Sequence, residues 1–196
     1  MLNGKKILGM IPARAGSKRV QYKNLTLFKV GDEHRSLLDW AVKHAGASKY
    51  IDHTVISSDL PQQGNEGSNA EPEWLPRPAH LAGDKTPMEA VINHVLHACG
   101  GYDYAVVLQP TSPLRLASDI DRCIEIAITQ HGVSGLSGCV SYNPYGKRNG
   151  AVYVVNVRHF MEFLSLDAAH HYEMPMERSL DIDYPWQIPP IGGDAK

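Results

Sequence analysis

Apolar positions along the chain alternate between strand-like runs and stripes with helical spacing. Lys6–Ile11 (KILGMI) predicts a short buried strand, and Thr54–Ser57, with β-branched Val55 and Ile56, predicts a second. Between them, Leu38, Ala41, Val42 and Ala45 share one face of a helix over Leu37–Ala47. Met88, Val91, Ile92, Val95, Leu96 and Cys99 follow the period of an amphipathic helix, and Pro87 suits its first turn. Tyr104–Gln109 (YAVVLQ) reads as a strand buried on both faces of a parallel sheet. Ser118–Gln130 predicts a helix that turns Ile120, Ile124, Ala127 and Ile128 inward, with Ser118 as N-cap. Gly138–Tyr142 and Ala151–Asn156 are expected strands, joined by the turn-forming Asn143–Gly150. Arg158–Leu164 is an expected short helix and Leu180–Asp183 a last short strand. Pro61–Asn69 is a polar loop, followed by a Pro-rich stretch to Pro78.

Strands separated by helices predict an α/β fold, an open and mostly parallel sheet with helices on both faces. The 196 residues suit one domain, with 184–196 as an irregular tail rich in proline and glycine. Ligands of such sheets bind beyond the carboxyl ends of the strands.

Composition narrows the function classes. The hydrophobic fraction of 43% and charged fraction of 20% fit a folded soluble chain. No apolar run approaches the ~20 residues of a membrane-spanning helix. Ile7–Ile11 is too short for a signal peptide, so a cytoplasmic location and no membrane partner are expected. Three widely spaced cysteines, Cys99, Cys123 and Cys139, argue against a disulfide framework. The net charge of −2 conceals an asymmetry: residues 1–31 hold seven basic side chains and no acid. That local cluster suits a small polyanion, whereas a nucleic-acid binder is usually basic overall.

Three segments carry candidate chemistry. The first is Pro12–Arg19, with Lys23 and Asn24 close behind. Gly16 lets the backbone approach an anion, Ser17 and neighbouring amides donate hydrogen bonds, and Arg14 can pair with two phosphate oxygens. Lys18 and Lys23 add point charges. The loop is neither a Walker motif nor G-x-G-x-x-G. The second is Arg178–Asp183, where a strand would put Asp181 and Asp183 on one face with Ile182 in the core. Such paired carboxylates suit Mg2+, which typically takes one or two acids plus phosphates and waters; on spacing alone they are equally two exposed acids. The third is Leu108–Arg115, which presents Gln109 at the carboxyl end of the most buried strand.

The pieces IPARAGSKR…KN, RPAHLAGD, LQPTSPLR, NGAVYVV and ERSLDID occur in this order from about Ile7 to Asp183. In this the chain resembles the acylneuraminate cytidylyltransferases, the CMP-sialic acid synthetases and their relatives. The resemblance implies a Rossmann-like fold of the nucleotide-diphospho-sugar transferase type. It implies Mg2+-dependent transfer of CMP from CTP to a hydroxyl of an acidic acceptor, with release of pyrophosphate. It assigns Ala13, Arg14, Gly16, Ser17, Lys18, Asn24 and Arg77 to the nucleotide, and Arg14, Lys18 and Lys23 to catalysis beside Asp181 and Asp183. Gln109 and Arg178 fall on the acceptor side, and Asp181 and Asp183 become the metal ligands. Relatives carry a long excursion before the NGA strand that binds the sugar and makes a homodimer. Here Gly146–Arg148 stands in its place, so the dimerisation segment is absent and a homodimer is a weaker implication. A sialic-acid-like 3-deoxy-ulosonic acid is the first expected acceptor. A smaller acid such as a phosphonate, or a non-catalytic module that holds CTP or CMP, are the alternatives.

Overall fold

The computed structural model describes residues 1–61, 72–130 and 138–188. The expected loop over Pro61–Asn69 lies almost entirely outside these residues; of the expected irregular tail over 184–196, residues 189–196 lie outside them and Pro185–Gln187 form a helical turn.

Among the described residues nine strands and four α-helices follow one another as β1 (Ile7–Pro12), β2 (Leu27–Val30), β3 (Glu33–Ser36), α1 (Leu37–Gly46), β4 (His53–Ser58), β5 (Glu73–Pro76), α2 (Met88–Ala98), β6 (Tyr104–Val107), α3 (Ala117–Thr129), β7 (Gly138–Tyr142), β8 (Arg148–Asn156), α4 (Val157–Phe163) and β9 (His170–Glu173). Seven strands form one sheet in the order β5-β4-β1-β6-β8-β7-β9, and β2 and β3 make a separate hairpin. β8 is antiparallel to both its neighbours, and the other pairings are parallel. The expected α/β architecture is therefore the observed one.

Strand alternation divides the core between the two faces. Ile7 and Ile11 point to the α1 and α3 side with Leu38, Ala41, Ile120 and Ile124. Leu8 and Met10 point to the α2 and α4 side with Val91, Ile92, Val95 and Phe160. β1 is buried along its whole length, which explains its unbroken apolar run. A third, smaller core joins Phe28, Leu37 and Trp40 to Ile182, tying the hairpin to the segment that carries the two acids.

Strands β2, β3, β5 and β9 are not among those expected, and three further details differ from expectation. Leu180–Asp183 is not a strand; it is extended chain that bonds to the sheet region through Ile182 N–H and Thr111 O at 2.8 Å. The N-cap of α3 is Leu116 rather than Ser118, and Asp119 Oδ2 accepts from Leu116 N–H at 2.9 Å. The linker before β8 shortens to a tight turn, because β8 begins at Arg148.

Candidate functional site

β1 and β6 lie side by side, but the chain leaves them in opposite directions: β1 leads towards β4 and β6 towards β8. Diverging connections leave a crevice at the carboxyl ends, where ligands of open α/β sheets bind. A cleft of about 370 Å³ opens there. Its walls bring together Arg14, Gly16, Ser17, Lys18, Arg19, Lys23 and Asn24 from the loop after β1 with Arg77, Asp84, Gln109, Thr111 and Asp183.

Backbone bonds shape the basic loop. Ala13 is fully buried; its N–H donates to Ser57 O at 2.9 Å, and its carbonyl accepts from the Ser58 hydroxyl. Ala13 thus acts as an anchor for the loop. Asp59 Oδ1 accepts from Ala15 N–H at 2.7 Å, and buried Asn24 donates its amide to Arg14 O at 2.8 Å. A Cβ added at Gly16 would meet nothing within 4 Å, so the backbone there faces open space. Arg77 is buried and donates to Ser57 Oγ at 3.2 Å and Ser57 O at 2.7 Å. Burial lowers its pKa to about 10, which leaves it charged at neutral pH.

The cations already hold an acid. Arg14 Nη1 lies 2.6 Å from Asp84 Oδ1, and Lys18 Nζ lies 3.0 Å from Asp84 Oδ2. Both contacts hold the Asp84 carboxyl below the usual carboxylate range, the Lys18 hydrogen bond first and Arg14 next. Asp84 closes the RPAHLAGD stretch but sits 70 residues from Arg14, and its part in the cleft had no local signal.

Asp183 also lines the cleft, and its Oδ1 lies 3.4 Å from Lys23 Nζ and 3.5 Å from Arg19 Nη1. Lys23 also donates to Ile182 O at 2.7 Å. Asp181 lies deeper. Burial raises its pKa, the Thr111 hydroxyl opposes this, and the charge of Asp183 raises it further against Lys23 and Lys147. Gly150 has φ +74, and a Cβ there would stand 3.1 Å from Gln109 Oε1 and 3.5 Å from Asp181 Oδ2. The missing side chain is what allows Gln109 and Asp181 to close over this end of β8.

Arg178 does not line the cleft. It grips Asp119 in a two-pronged pair, Nε to Oδ2 at 3.0 Å and Nη2 to Oδ1 at 2.9 Å. Asp119 is fully buried, and Tyr172 donates to its Oδ1 at 2.8 Å. Asp119 demands this partner, because a buried carboxylate without a cation is strongly unfavourable. Arg178, expected on the acceptor side, has Asp119 as its partner in this structure. Arg115, also fully buried, donates to Ala151 O at 2.6 Å and Gln109 O at 3.2 Å, tying the LQPTSPLR turn to β8.

The donor set suits a hard divalent cation. Two carboxylates lie two positions apart, and one of them is raised by its burial and by the other's charge, a conflict that a cation relieves. Among the described residues no group of three or more His, Cys, Asp or Glu could hold a metal. Two protein oxygens leave the remaining positions to phosphate and water, the habit of Mg2+.

A cytidylyltransferase family model matches residues 8–140, about two thirds of the chain, including the basic loop, Asp84 and Gln109. The chain belongs to the cytidylyltransferase family. It is 27% identical over 210 residues to the N-acylneuraminate cytidylyltransferase of Escherichia coli, covering 91% of this chain and 49% of that protein. It is 32% identical over 145 residues to the CMP-N,N'-diacetyllegionaminic acid synthase of Legionella pneumophila, covering 71% of this chain and 58% of that protein. The chain thus spans about half the length of these relatives. The fold matches a CMP:2-keto-3-deoxy-manno-octonic acid synthetase solved with CTP, with TM-score 0.67, 14% identity and coverage of 93% and 95%. At that identity the likeness establishes the fold. Among the described residues of this family member, no helix is long and apolar enough to cross a membrane.

Proposed function

We propose that the chain transfers CMP from CTP to a hydroxyl of an acidic acceptor of the sialic or 3-deoxy-ulosonic acid type, releasing pyrophosphate. One observation carries the reading: the cationic loop after β1 and Asp183 of the acid segment line the same cleft. CTP as donor rests on family membership and on the CTP in the structurally similar synthetase.

Arg14 and Lys18 hold the two oxygens of Asp84 much as they would hold two phosphate oxygens. In the proposed complex the triphosphate displaces Asp84 and takes both cations. The acceptor oxygen then bonds to the α-phosphorus as the bond to the β-phosphate bridging oxygen breaks. Pyrophosphate leaves with that electron pair, and Arg14 and Lys18 balance the charge it gains. Asp181 and Asp183 would hold Mg2+, which would lower the pKa of the acceptor hydroxyl and so ease loss of its proton. Gln109 orients the acceptor, and Lys23 fixes the acid segment through Ile182 O.

The turn before β8 favours a compact acceptor. Asn143 closes it on itself, accepting from Tyr145 N–H at 3.1 Å and Lys147 N–H at 3.0 Å through Oδ1. A truncated sugar acid or a phosphonate is the alternative acceptor that this short turn supports. The test is pyrophosphate release with CTP and Mg2+ over sialic, 3-deoxy-ulosonic and phosphonate acceptors. Release with one class identifies the acceptor. CTP binding without release for any class refutes transfer and supports a nucleotide-holding module.

A further inference from the structure

Asp181 and the cleft-lining Asp183 sit on a segment without strand partners, so its rigidity needs another source. Its backbone groups are held one by one. Ile182 N–H donates to Thr111 O at 2.8 Å, and Ile182 O accepts from Lys23. The groups on either side go to one side chain. Gln187 Oε1 accepts from Asp183 N–H and Tyr184 N–H, both at 2.7 Å, and Gln187 Nε2 donates to Asp181 O at 2.8 Å. A single amide therefore spans both acids from behind.

We propose that Gln187 is a positioning residue that fixes the relative placement of the Asp181 and Asp183 carboxylates and so tunes the cation site they form. The inference rests on the reading of these acids as cation ligands. The chemistry requires an amide, because the same side chain must accept from two N–H groups and donate to one carbonyl. The turn that delivers it is stiff. Pro185 opens the Pro185–Gln187 turn, and the rings of Tyr184 and Trp186 stack at 4.4 Å with Arg19 over Tyr184 at 4.8 Å. Groups that orient metal ligands typically contribute about 10–100-fold to metal affinity.

The test combines amide hydrogen exchange with Mn2+ binding, read from the paramagnetic signal of the free ion, on the full chain. Gln187→Met keeps the side chain's length and removes its hydrogen bonds. Exchange at Asp183 and Tyr184 is expected to quicken about tenfold, the worth of one net hydrogen bond. Exchange at Leu108, whose N–H donates to Met10 O, should not change. Mn2+ affinity is expected to fall about tenfold, at the low end of the range for such groups. Gln187→Glu retains both acceptor contacts and should keep Asp183 and Tyr184 slow, which also serves if the Met variant fails to fold. Unchanged exchange in Gln187→Met overturns the proposal. Faster exchange with wild-type Mn2+ affinity also overturns it, leaving a purely structural turn. An isotherm that Asp181→Asn and Asp183→Asn leave unaltered strikes the cation reading itself, and the tuning role of Gln187 falls with it.

Discussion

Arg178→Met separates an anchoring arginine from a substrate-binding one. Asp119 has no exposed surface and takes four hydrogen bonds: two from Arg178, one from Tyr172 and one from Leu116 N–H. Methionine preserves much of the stem's packing but leaves the carboxylate with two neutral donors. Breaking a buried pair from one side typically costs about 3–5 kcal/mol. Arg178 is 24% exposed and Tyr172 still donates, so the lower end applies, about 3 kcal/mol. The Tyr172 hydroxyl, pushed up to about 12 by burial first and the Asp119 hydrogen bond next, remains a donor at neutral pH. For a chain of this size, 3 kcal/mol corresponds to a fall in Tm of about 6–12 °C. Urea unfolding followed by circular dichroism measures the loss. Asp119→Asn combined with Arg178→Met should recover only part of it, because Asp119 also offsets the charge of the fully buried Arg115. Stability within about 0.5 kcal/mol of wild type, the range of an uninvolved surface site, together with a raised KM for the acceptor, would refute the anchoring role and restore Arg178 to the substrate.

Three further outcomes follow from the cleft. Asp181→Asn should abolish pyrophosphate release and raise stability at neutral pH. Because the folded pKa of Asp181 is raised, the folded state binds its proton more readily than the unfolded chain. Its contribution is therefore greatest below the ordinary carboxylate value and is lost as pH rises through the folded value; a variant with wild-type pH dependence of unfolding counts against this. Asp84→Asn should tighten metal-free CTP binding, measured by calorimetry, since Arg14 and Lys18 no longer hold an internal acid; weaker binding would contradict the displacement step. Gly150→Ala should lower stability by about 1–2 kcal/mol, the cost of left-handed backbone with a Cβ, and impair acceptor use by displacing Gln109, as denaturation and KM measurements would show.

What could be read from the chain was what one dimension records. β1 and β6 were legible because burial on both faces demands continuous apolar residues. α2 was legible because one face packs on the sheet. β5 and β9 lie at the sheet's edges, and the β2–β3 hairpin stands apart from it, so EWLP, HHYE and EHRS carry few inward-facing residues and little strand signal. Leu180–Asp183 has the alternation of a strand, and Ile182 does enter the core, but Thr111 O supplies one bond rather than a ladder. The basic loop was visible because cation density without acids is a local property. Arg178 neighbours Asp181 in sequence, whereas its partner Asp119 lies 59 positions away and leaves no local signal. Asp84 and Gln187 act through contacts that folding creates, and residue type alone does not announce either.

The central claim is that one cleft grips the triphosphate with the loop after β1 and faces its α-phosphate with the two acids. A crystal structure with a non-hydrolysable CTP analogue and Mg2+ tests this most directly. The account predicts the β- and γ-phosphates on Arg14 and Lys18, Asp84 turned away, and Mg2+ between the α-phosphate and Asp181 and Asp183. A nucleotide seated elsewhere, or a triphosphate with its metal remote from both acids, would contradict it.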